Sequence, residues 1–171
     1  ELFAAGVGLS STAGKPSIAV LSFKNFSDDP QQDYLVDGIV QEITTALSRN
    51  RAFFVIARDS AFAFRHNGMD LSQASRELGV RYLLEGSFRK VGQEVRVTGL
   101  LIEAATGRHL WADRFEGDAA DIFRMQDEIV RRVVGAILPR LETAEIDRAK
   151  HAGTGDLAAY DLFLRGLYSW N

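Results

Sequence analysis

The sequence predicts a three-layer α/β fold with a mixed sheet of about five strands. Three features carry this prediction: a buried strand followed by an amphipathic helix, a block of three alternating strands, and a long amphipathic helix after them. The predicted order is β-α-β-α-β-β-β-α, with an antiparallel meander in the second half. The 171 residues, of which 46% are hydrophobic, are enough to bury the core of one domain.

The first predicted strand, Ser17–Phe23, is largely apolar on both faces. This pattern is typical of a strand in the interior of a sheet, with packed layers on each side. Its alternation predicts one face of Ile18, Val20 and Ser22 and an opposite face of Ala19, Leu21 and Phe23.

The amphipathic helix that follows is expected to run from Pro30 to about Ser48. Proline fits an early position of a helix. Asp28 or Asp29 is placed to cap it, because a carboxylate can accept a hydrogen bond from the unpaired amides of the first turn. The predicted core stripe of this helix comprises Val36, Ile39, Val40, Ile43 and Leu47.

Two short elements are predicted before the chain changes character. Phe53–Ala57 is an apolar run that predicts a second strand, and Arg58–Gly68 is interpreted as an irregular link. Asp70 is the predicted cap of a short helix, Leu71–Leu78. Gly79 is expected to end that helix in the left-handed conformation.

Three strands joined by tight turns are predicted in the second half of the chain. They are Arg81–Val91, Glu94–Glu103 and His109–Phe115. Gly92 and Gly107 supply the turn residues between them, so an antiparallel meander is the expected arrangement.

A long helix is predicted from Asp121 onward. Its core stripe comprises Ile122, Ile129, Val133, Ile137 and Leu141. Pro139 falls inside this pattern, so we expect a kink or a break near it. Gly153–Gly155 indicates a joint, after which Asp156 begins a further helix.

Composition argues against several classes of function. The 23 acidic and 20 basic residues give a formal net charge of −3, without the strongly basic balance of a nucleic-acid-binding domain. The absence of cysteine excludes disulfides, thiolate zinc sites and a thiol nucleophile. Residues 1–14 are either a flexible linker or the end of a membrane segment, since their apolar run is far shorter than the roughly 20 residues of a membrane-spanning helix.

The loop after the first strand carries the candidate ligand or partner residues Asn25, Ser27, Asp28 and Asp29. Ligands of open α/β folds bind where the carboxyl end of a strand is followed by a helix. A divalent cation would suit the two aspartates, yet capping of the next helix explains both without any ligand. If a ligand does bind, Asn25 and Ser27 are the expected contacts.

No catalytic residue, cofactor site or metal site is predicted. The glycines near Gly6 lack the strand-turn-helix context of a dinucleotide-binding loop. The three histidines, His66, His109 and His151, fall in different elements and form no helical pair that would bind a metal. We therefore expect this segment not to be an enzyme.

Four separated blocks of the chain together resemble the TolB amino-terminal-like domain of bacterial multidomain signalling proteins. The blocks are SIAVLSFKNFSDDPQQDYLVDGIVQEITTALSR, FFVIARDSAFAFR, ELGVRYLLEGSFRKVGQEVRVTGLLIEAATGRHLWADRFEG and DIFRMQDEIVRRVV. The resemblance covers residues 15–150. The tail AAYDLFLRGLYSWN is similar to the start of a tetratricopeptide-type helix, so residues 156–171 are assigned to a truncated helix of that kind.

The resemblance departs from the family's pattern at two places near the first strand. The family usually has a proline where this chain has Ser22. It often has an aromatic residue followed by Ala-Asp-Gly where this chain reads Leu35-Val36-Asp37-Gly38. Both departures touch the end of the strand, which is the region of the candidate ligand loop.

The resemblance implies a non-catalytic regulatory and protein-interaction module of a class III adenylate/guanylate cyclase-type signalling protein. Such a module would link an output domain, a cyclase or sometimes a winged-helix regulator, to tetratricopeptide repeats. The alternative is a small-ligand sensor that binds a nucleotide or another anion at the first strand-to-helix junction.

The implied partners are other domains of the parent chain and an unidentified protein, with no nucleic acid bound by this domain. The implied location is bacterial, either cytoplasmic or associated with the inner membrane. A preceding transmembrane helix would tether the domain to the membrane and could place it on the periplasmic side.

Overall fold

The computed structural model describes residues 15–27, 29–56, 71–152 and 164–165. The strands are β1 Ser17–Val20, β2 Lys24–Asn25, β3 Phe54–Val55, β4 Tyr82–Val91, β5 Glu94–Glu103 and β6 His109–Asp118. The α-helices are α1 Asp33–Ser48, α2 Leu71–Leu78 and α3 Ile122–Ala152. Short 3-10 turns, Pro30–Gln32 and Ala119–Asp121, lead into α1 and α3.

The strands form one mixed sheet in the order β3-β1-β4-β5-β6, with β2 pairing β4 beside β1. The pairs among β1, β2, β3 and β4 are parallel, whereas β4–β5 and β5–β6 are antiparallel. The predicted α/β class, mixed sheet and meander are therefore confirmed. Gly92 and Gly107 take positive φ angles of 61° and 71° in the two turns of the meander, as their turn roles require.

The first predicted strand is wrong in its continuity, because Ser17–Phe23 does not form one strand. Val20 pairs with Leu84 and Lys24 with Ser87, so three residues of the first segment lie opposite two residues of β4. The extra residue makes a bulge that reverses the alternation of side chains.

The bulge corrects the predicted face of Phe23. Its side chain packs in the main core with Ile18 and Val20, not on the opposite face with Ala19 and Leu21. The hydroxyl of Ser22 is buried within the bulge and has no hydrogen-bond partner in the described part of the chain.

The main core lies between the sheet and the two long helices. Every residue of the predicted α1 stripe is buried, and so is the α3 stripe from Ile129 onward. The side chain of Ile122 lies outside the description. The opposite face of the sheet carries a smaller cluster of Ala19, Val80 and Leu83, against which Leu78 at the end of α2 packs. Among the described residues, this third layer packs against β1 and the start of β4.

The two short elements between α1 and β4, which are β3 and α2, agree closely with the sequence prediction. β3 is Phe54–Val55, within the predicted strand, and Ala57 lies outside the described residues. α2 has the predicted bounds, and Gly79 follows it with φ 66°. The predicted cap Asp70 and the link Arg58–Gly68 lie outside the described residues.

A kink or a break is predicted near Pro139, and the break is absent, because α3 runs without interruption from Ile122 to Ala152. A proline inside a helix removes the hydrogen bond to the carbonyl four residues earlier, which here belongs to Gly135. Both residues are on the exposed side of α3, and an added Cβ on Gly135 would meet nothing within 4 Å. Water can therefore reach that carbonyl while the buried stripe continues.

Candidate functional site

The loop that follows β2 is organised by the side chain of Asn25. Its Oδ1 accepts a hydrogen bond from the backbone N–H of Ser27 at 2.9 Å. Its Nδ2 donates to Asp33 Oδ1 at 2.8 Å and to the carbonyl of Asp29 at 3.3 Å. Asn25 therefore ties the end of β2 to the first residue of α1.

Asp29 is the capping residue that the sequence predicts. Its Oδ1 accepts from the backbone N–H of Gln31 at 2.9 Å, and Pro30 occupies the first position of the 3-10 turn. Its Oδ2 accepts from Gln32 Nε2 at 3.3 Å. Asp28, the other predicted cap, lies outside the described residues.

Ser27 fixes the loop to the sheet, because its Oγ accepts a hydrogen bond from the backbone N–H of Lys90 at 2.8 Å. The structure thus brings Asn25, Ser27 and Asp29 together, and each has a hydrogen bond within the protein. These bonds account for the three residue types, so a ligand role for this loop stays a prediction.

Four large hydrophobic side chains are exposed among the described residues: Phe26 at 61%, Tyr34 at 78%, Val91 at 61% and Phe123 at 78%. All four belong to one end of the sheet, where β2 and β4 end and β5 begins. We call this the hairpin end. Tyr34 is the second residue of α1, and Phe123 is the second residue of α3, which follows the end of β6. Phe26 also lines the sheet face opposite the long helices, whereas Tyr34 and Phe123 belong to the helices themselves, so the four side chains are separate candidates for contact with a partner.

The sequence contained a signal for two of these residues. Tyr34 and Phe123 fall outside the apolar stripes of their helices, so helical periodicity alone assigns them to solvent. No comparable signal was present for Phe26, because its exposure follows from the bulge that precedes it.

Within the described parts of the chain, the sheet face opposite the long helices is open over the later part of β4 and over β5 and β6, where it forms a groove of about 780 Å³. Register places Lys24, Ser87, Thr98 and Arg114 in one row across four strands. The hydroxyls of Ser87 and Thr98 hydrogen-bond to each other on the floor of this groove. Glu85 also lines it, so the groove contains charges of both signs.

The opposite end of the sheet contains a buried polar cluster. Glu145 of α3, 6% exposed, accepts hydrogen bonds from the Arg81 guanidinium and the Tyr82 hydroxyl. Burial, followed by the charge and hydrogen bond of Glu145, raises the pKa of Tyr82 above its usual value of 10.0. The Tyr82 hydroxyl therefore keeps its proton near neutral pH. Its hydrogen bond to Glu145 links β4 to α3. Glu145 follows Ile137 and Leu141 at steps of four, and this spacing in the sequence indicates that it lies on the buried side of α3.

The described residues contain no group of three or more His, Cys, Asp or Glu side chains that could hold a metal ion. His109 is exposed at the start of β6. His66 lies outside the described residues, and so does the side chain of His151. Within the described parts of the chain, no helix is long and apolar enough to span a membrane.

No protein-family model matches the chain. The chain is similar to the protein named "Putative adenylate cyclase 3" of Rhizobium meliloti (strain 1021), with 47% identity over 151 residues. That match covers 88% of this chain and 26% of the relative, so the chain spans about a quarter of the length of that protein.

Two solved structures show that the fold recurs elsewhere. TolB from Acinetobacter baumannii superposes with a TM-score of 0.54 at 18% identity, over 74% of this chain and 28% of TolB. Lipoprotein GNA1162 from Neisseria meningitidis superposes with a TM-score of 0.51 at 19% identity, over 71% of this chain and 96% of the lipoprotein. At these identities the likeness is one of fold, and the fold is TolB-like.

Proposed function

We propose that this chain is a TolB amino-terminal-like domain acting as a non-catalytic regulatory and protein-interaction module of an adenylate cyclase-type signalling protein. In this role it links an output domain to tetratricopeptide repeats. The observation that carries the proposal is the 47% identity with one part, about a quarter, of the protein named "Putative adenylate cyclase 3".

The geometry of the two ends of the sheet supports an interaction role. α3, about 46 Å long at 1.5 Å per residue, starts at the hairpin end and reaches past Arg81 and Tyr82 at the other end through Glu145. β1 also begins at that other end, because it pairs in parallel with the start of β4. The start of β1 and the end of α3 therefore lie away from the exposed aromatic residues at the hairpin end.

The buried groups support the absence of catalysis. The polar cluster Arg81–Tyr82–Glu145 in the described core is internally hydrogen-bonded. The candidate loop around Asn25 is likewise satisfied within the protein. Neither arrangement presents a nucleophile with a base to a substrate.

The experiment compares the complete parent protein with a version that lacks residues 15–152. Cyclic nucleotide production from ATP and GTP is measured for both and for the isolated chain with Mg²⁺ or Mn²⁺. We expect the isolated chain to form no cyclic nucleotide and the deletion to alter the regulation of the parent. Formation of cyclic nucleotide by the isolated chain, or an unchanged response of the deleted parent, would contradict the proposal.

A small-ligand sensor is the second candidate, and the open groove beside the candidate loop is the observation that favours it. Its volume lies within the range of small-molecule sites, and Lys24 and Phe26 at its edge adjoin that loop. A thermal-shift series with nucleotides, with and without Mg²⁺, tests this candidate. A rise in melting temperature that Lys24→Glu abolishes would support it, and no rise with any nucleotide would count against it.

A further inference from the structure

β6 is the outer strand of the sheet and is ten residues long. It pairs with β5 on one side and has no second partner strand among the described residues. The other outer strand, β3, has only two residues. A long outer strand presents backbone N–H and C=O groups that can pair with a further strand, so β6 is the edge at which a strand can add.

The side chains of β6 alternate in a way that suits a particular added strand. Register places Arg114 opposite Thr98 and Glu116 opposite Arg96, both on the open face of the sheet. Their side chains are 58% and 59% exposed. Phe115 lies between them on the helix-covered face and is buried, with the Arg132 guanidinium 4.6 Å from its ring centre. Three successive residues of β6 are therefore positive, apolar and negative, with the two charges on the open face and Phe115 on the helix-covered face.

This order is self-complementary under a two-fold axis. In an antiparallel pair, residues opposite each other face the same side of the sheet. If the axis passes through Phe115, Arg114 of each copy lies opposite Glu116 of the second copy, which gives two ion pairs. Moving the axis to residue 114 places Arg114 against Arg114. Moving it to residue 116 places Arg114 against Asp118 but also Glu116 against Glu116, so of these three registers the one centred on Phe115 alone pairs opposite charges without placing like charges opposite each other.

We propose that this chain forms a two-fold symmetric dimer through antiparallel pairing of β6 with β6 of a second copy, in the register centred on Phe115. The two sheets become one continuous sheet, and the α3 helices of both copies lie on the same face. The dimer goes beyond the proposed regulatory function and does not depend on it, because it needs only the described domain.

The internal salt bridges leave these charges available to a partner. Arg114 Nε is 3.4 Å from Glu116 Oε1, and Arg96 also approaches that oxygen at 3.3 Å. Both are exposed pairs, which contribute little to stability and exchange readily for others. A single strand pair is a small interface, so the dimer is in equilibrium with the monomer and weakens with added salt.

The test is sedimentation equilibrium of the purified chain over a wide concentration range at low salt. We expect a monomer–dimer equilibrium for the wild type. Arg114→Glu and Glu116→Arg each place like charges opposite each other twice, and each should raise the dissociation constant by roughly tenfold or more. An equimolar mixture of the two variants restores both ion pairs, and so does the double variant, so both should dimerise as the wild type does.

Arg89→Glu is the matched control, since Arg89 is exposed on the same face but lies on the inner strand β4. It should leave the equilibrium unchanged, while circular dichroism and melting curves verify that each variant is folded. A wild type that is monomeric at every concentration overturns the proposal. Equal weakening by Arg89→Glu, or failure of the mixture and of the double variant to dimerise, overturns it as well. None of these outcomes bears on cyclase regulation.

Discussion

The hydroxyl of Tyr82, on the central strand β4, donates a hydrogen bond to the carboxylate of Glu145 near the end of α3. Glu145 also accepts from Arg81, which is 24% exposed, so the carboxylate is paired as well as buried. The long helix is thereby fixed at the end of the sheet opposite the exposed aromatic residues. Burying a charged carboxylate costs free energy, and its hydrogen-bond and ion-pair partners offset that cost.

Replacement of Glu145 by Ala should lower the free energy of unfolding by about 3 kcal/mol. The change leaves the Tyr82 hydroxyl buried without its acceptor and removes the partner of Arg81, and breaking a buried ion pair has costs of this size. Urea unfolding followed by circular dichroism measures the loss. Glu128→Ala, at an exposed position of the same helix, is the control and should change stability by less than about 0.5 kcal/mol. Equal effects of the two substitutions would show that the contact of Glu145 with Arg81 and Tyr82 does not stabilise the protein.

The stability of the protein should fall as the pH rises above about 10, because of Tyr82. Its pKa is raised in the folded state by burial and by Glu145. The folded protein therefore holds this proton more tightly than the unfolded chain does. The associated stability is fully present below the usual tyrosine pKa of 10.0 and is lost above it.

Urea unfolding of the wild type and of Tyr82→Phe at pH 8, 9, 10 and 11 measures this dependence. Tyr82→Phe should be the less stable protein at pH 8, where the hydrogen bond is intact, and its stability should fall less steeply above pH 10. Parallel curves for the two proteins would show that the hydroxyl does not have the raised pKa.

The long helices were predictable because their packing is periodic. The stripes that include Ile39 in α1 and Val133 in α3 repeat at steps of three and four, and a helix that packs on a sheet buries one such stripe. The meander was predictable for a similar reason, since Gly92 and Gly107 are placed where positive φ angles are needed.

The bulge in the first strand was not predictable, because an extra residue in a segment that is apolar on both faces does not change its hydrophobic pattern. The sequence from Ser17 to Phe23 alternates through the bulge as a continuous strand would. Only the pairing with β4 determines that Phe23 faces the helices. In the candidate loop, the residue types indicated a helix cap, and Asp29 is one. The link from Ser27 to Lys90 spans 63 residues, so no local pattern contains it.

Gly86→Ala should destabilise the protein by about 2 kcal/mol. An added Cβ there would meet the Phe23 ring at 2.7 Å and would also contact the Thr98 carbonyl oxygen, and overpacking of a filled core has costs of this order. Gly135→Ala is the matched control, since its Cβ meets nothing within 4 Å and alanine favours a helix. It should stabilise the protein by about 0.5–1 kcal/mol. Thermal unfolding distinguishes the two, and a neutral Gly86→Ala would contradict the packing of Phe23 against the strand.

Ser22→Ala should stabilise the protein by about 1 kcal/mol. The Ser22 hydroxyl is buried in the bulge and has no partner among the described residues, so the substitution removes an unsatisfied polar group. Ser48→Ala is the comparison, because the Ser48 hydroxyl is exposed and donates to the Thr44 carbonyl at 2.7 Å. It should change stability by less than about 0.5 kcal/mol. Destabilisation by Ser22→Ala in urea unfolding would mean that the hydroxyl has a partner.

The exposed aromatic residues at the hairpin end should be dispensable for folding and needed for interaction. Tyr34 and Phe123 are each 78% exposed, so their replacement by Ser removes little buried surface. Tyr34→Ser/Phe123→Ser should therefore unfold within about 0.5 kcal/mol of the wild type. In the parent protein the same pair should reproduce the loss of regulation expected from deleting residues 15–152, because exposed aromatic side chains are typical anchors of protein contacts.

The control for this pair is Gln41→Ser/Glu128→Ser, which alters exposed polar residues of the same two helices. It should leave both stability and regulation unchanged. Unfolding curves test the first half of the prediction, and cyclic nucleotide assays of the parent test the second. Normal regulation by the Tyr34→Ser/Phe123→Ser parent would exclude the hairpin end as the regulatory surface. A large loss of stability would instead show that these rings pack against the domain.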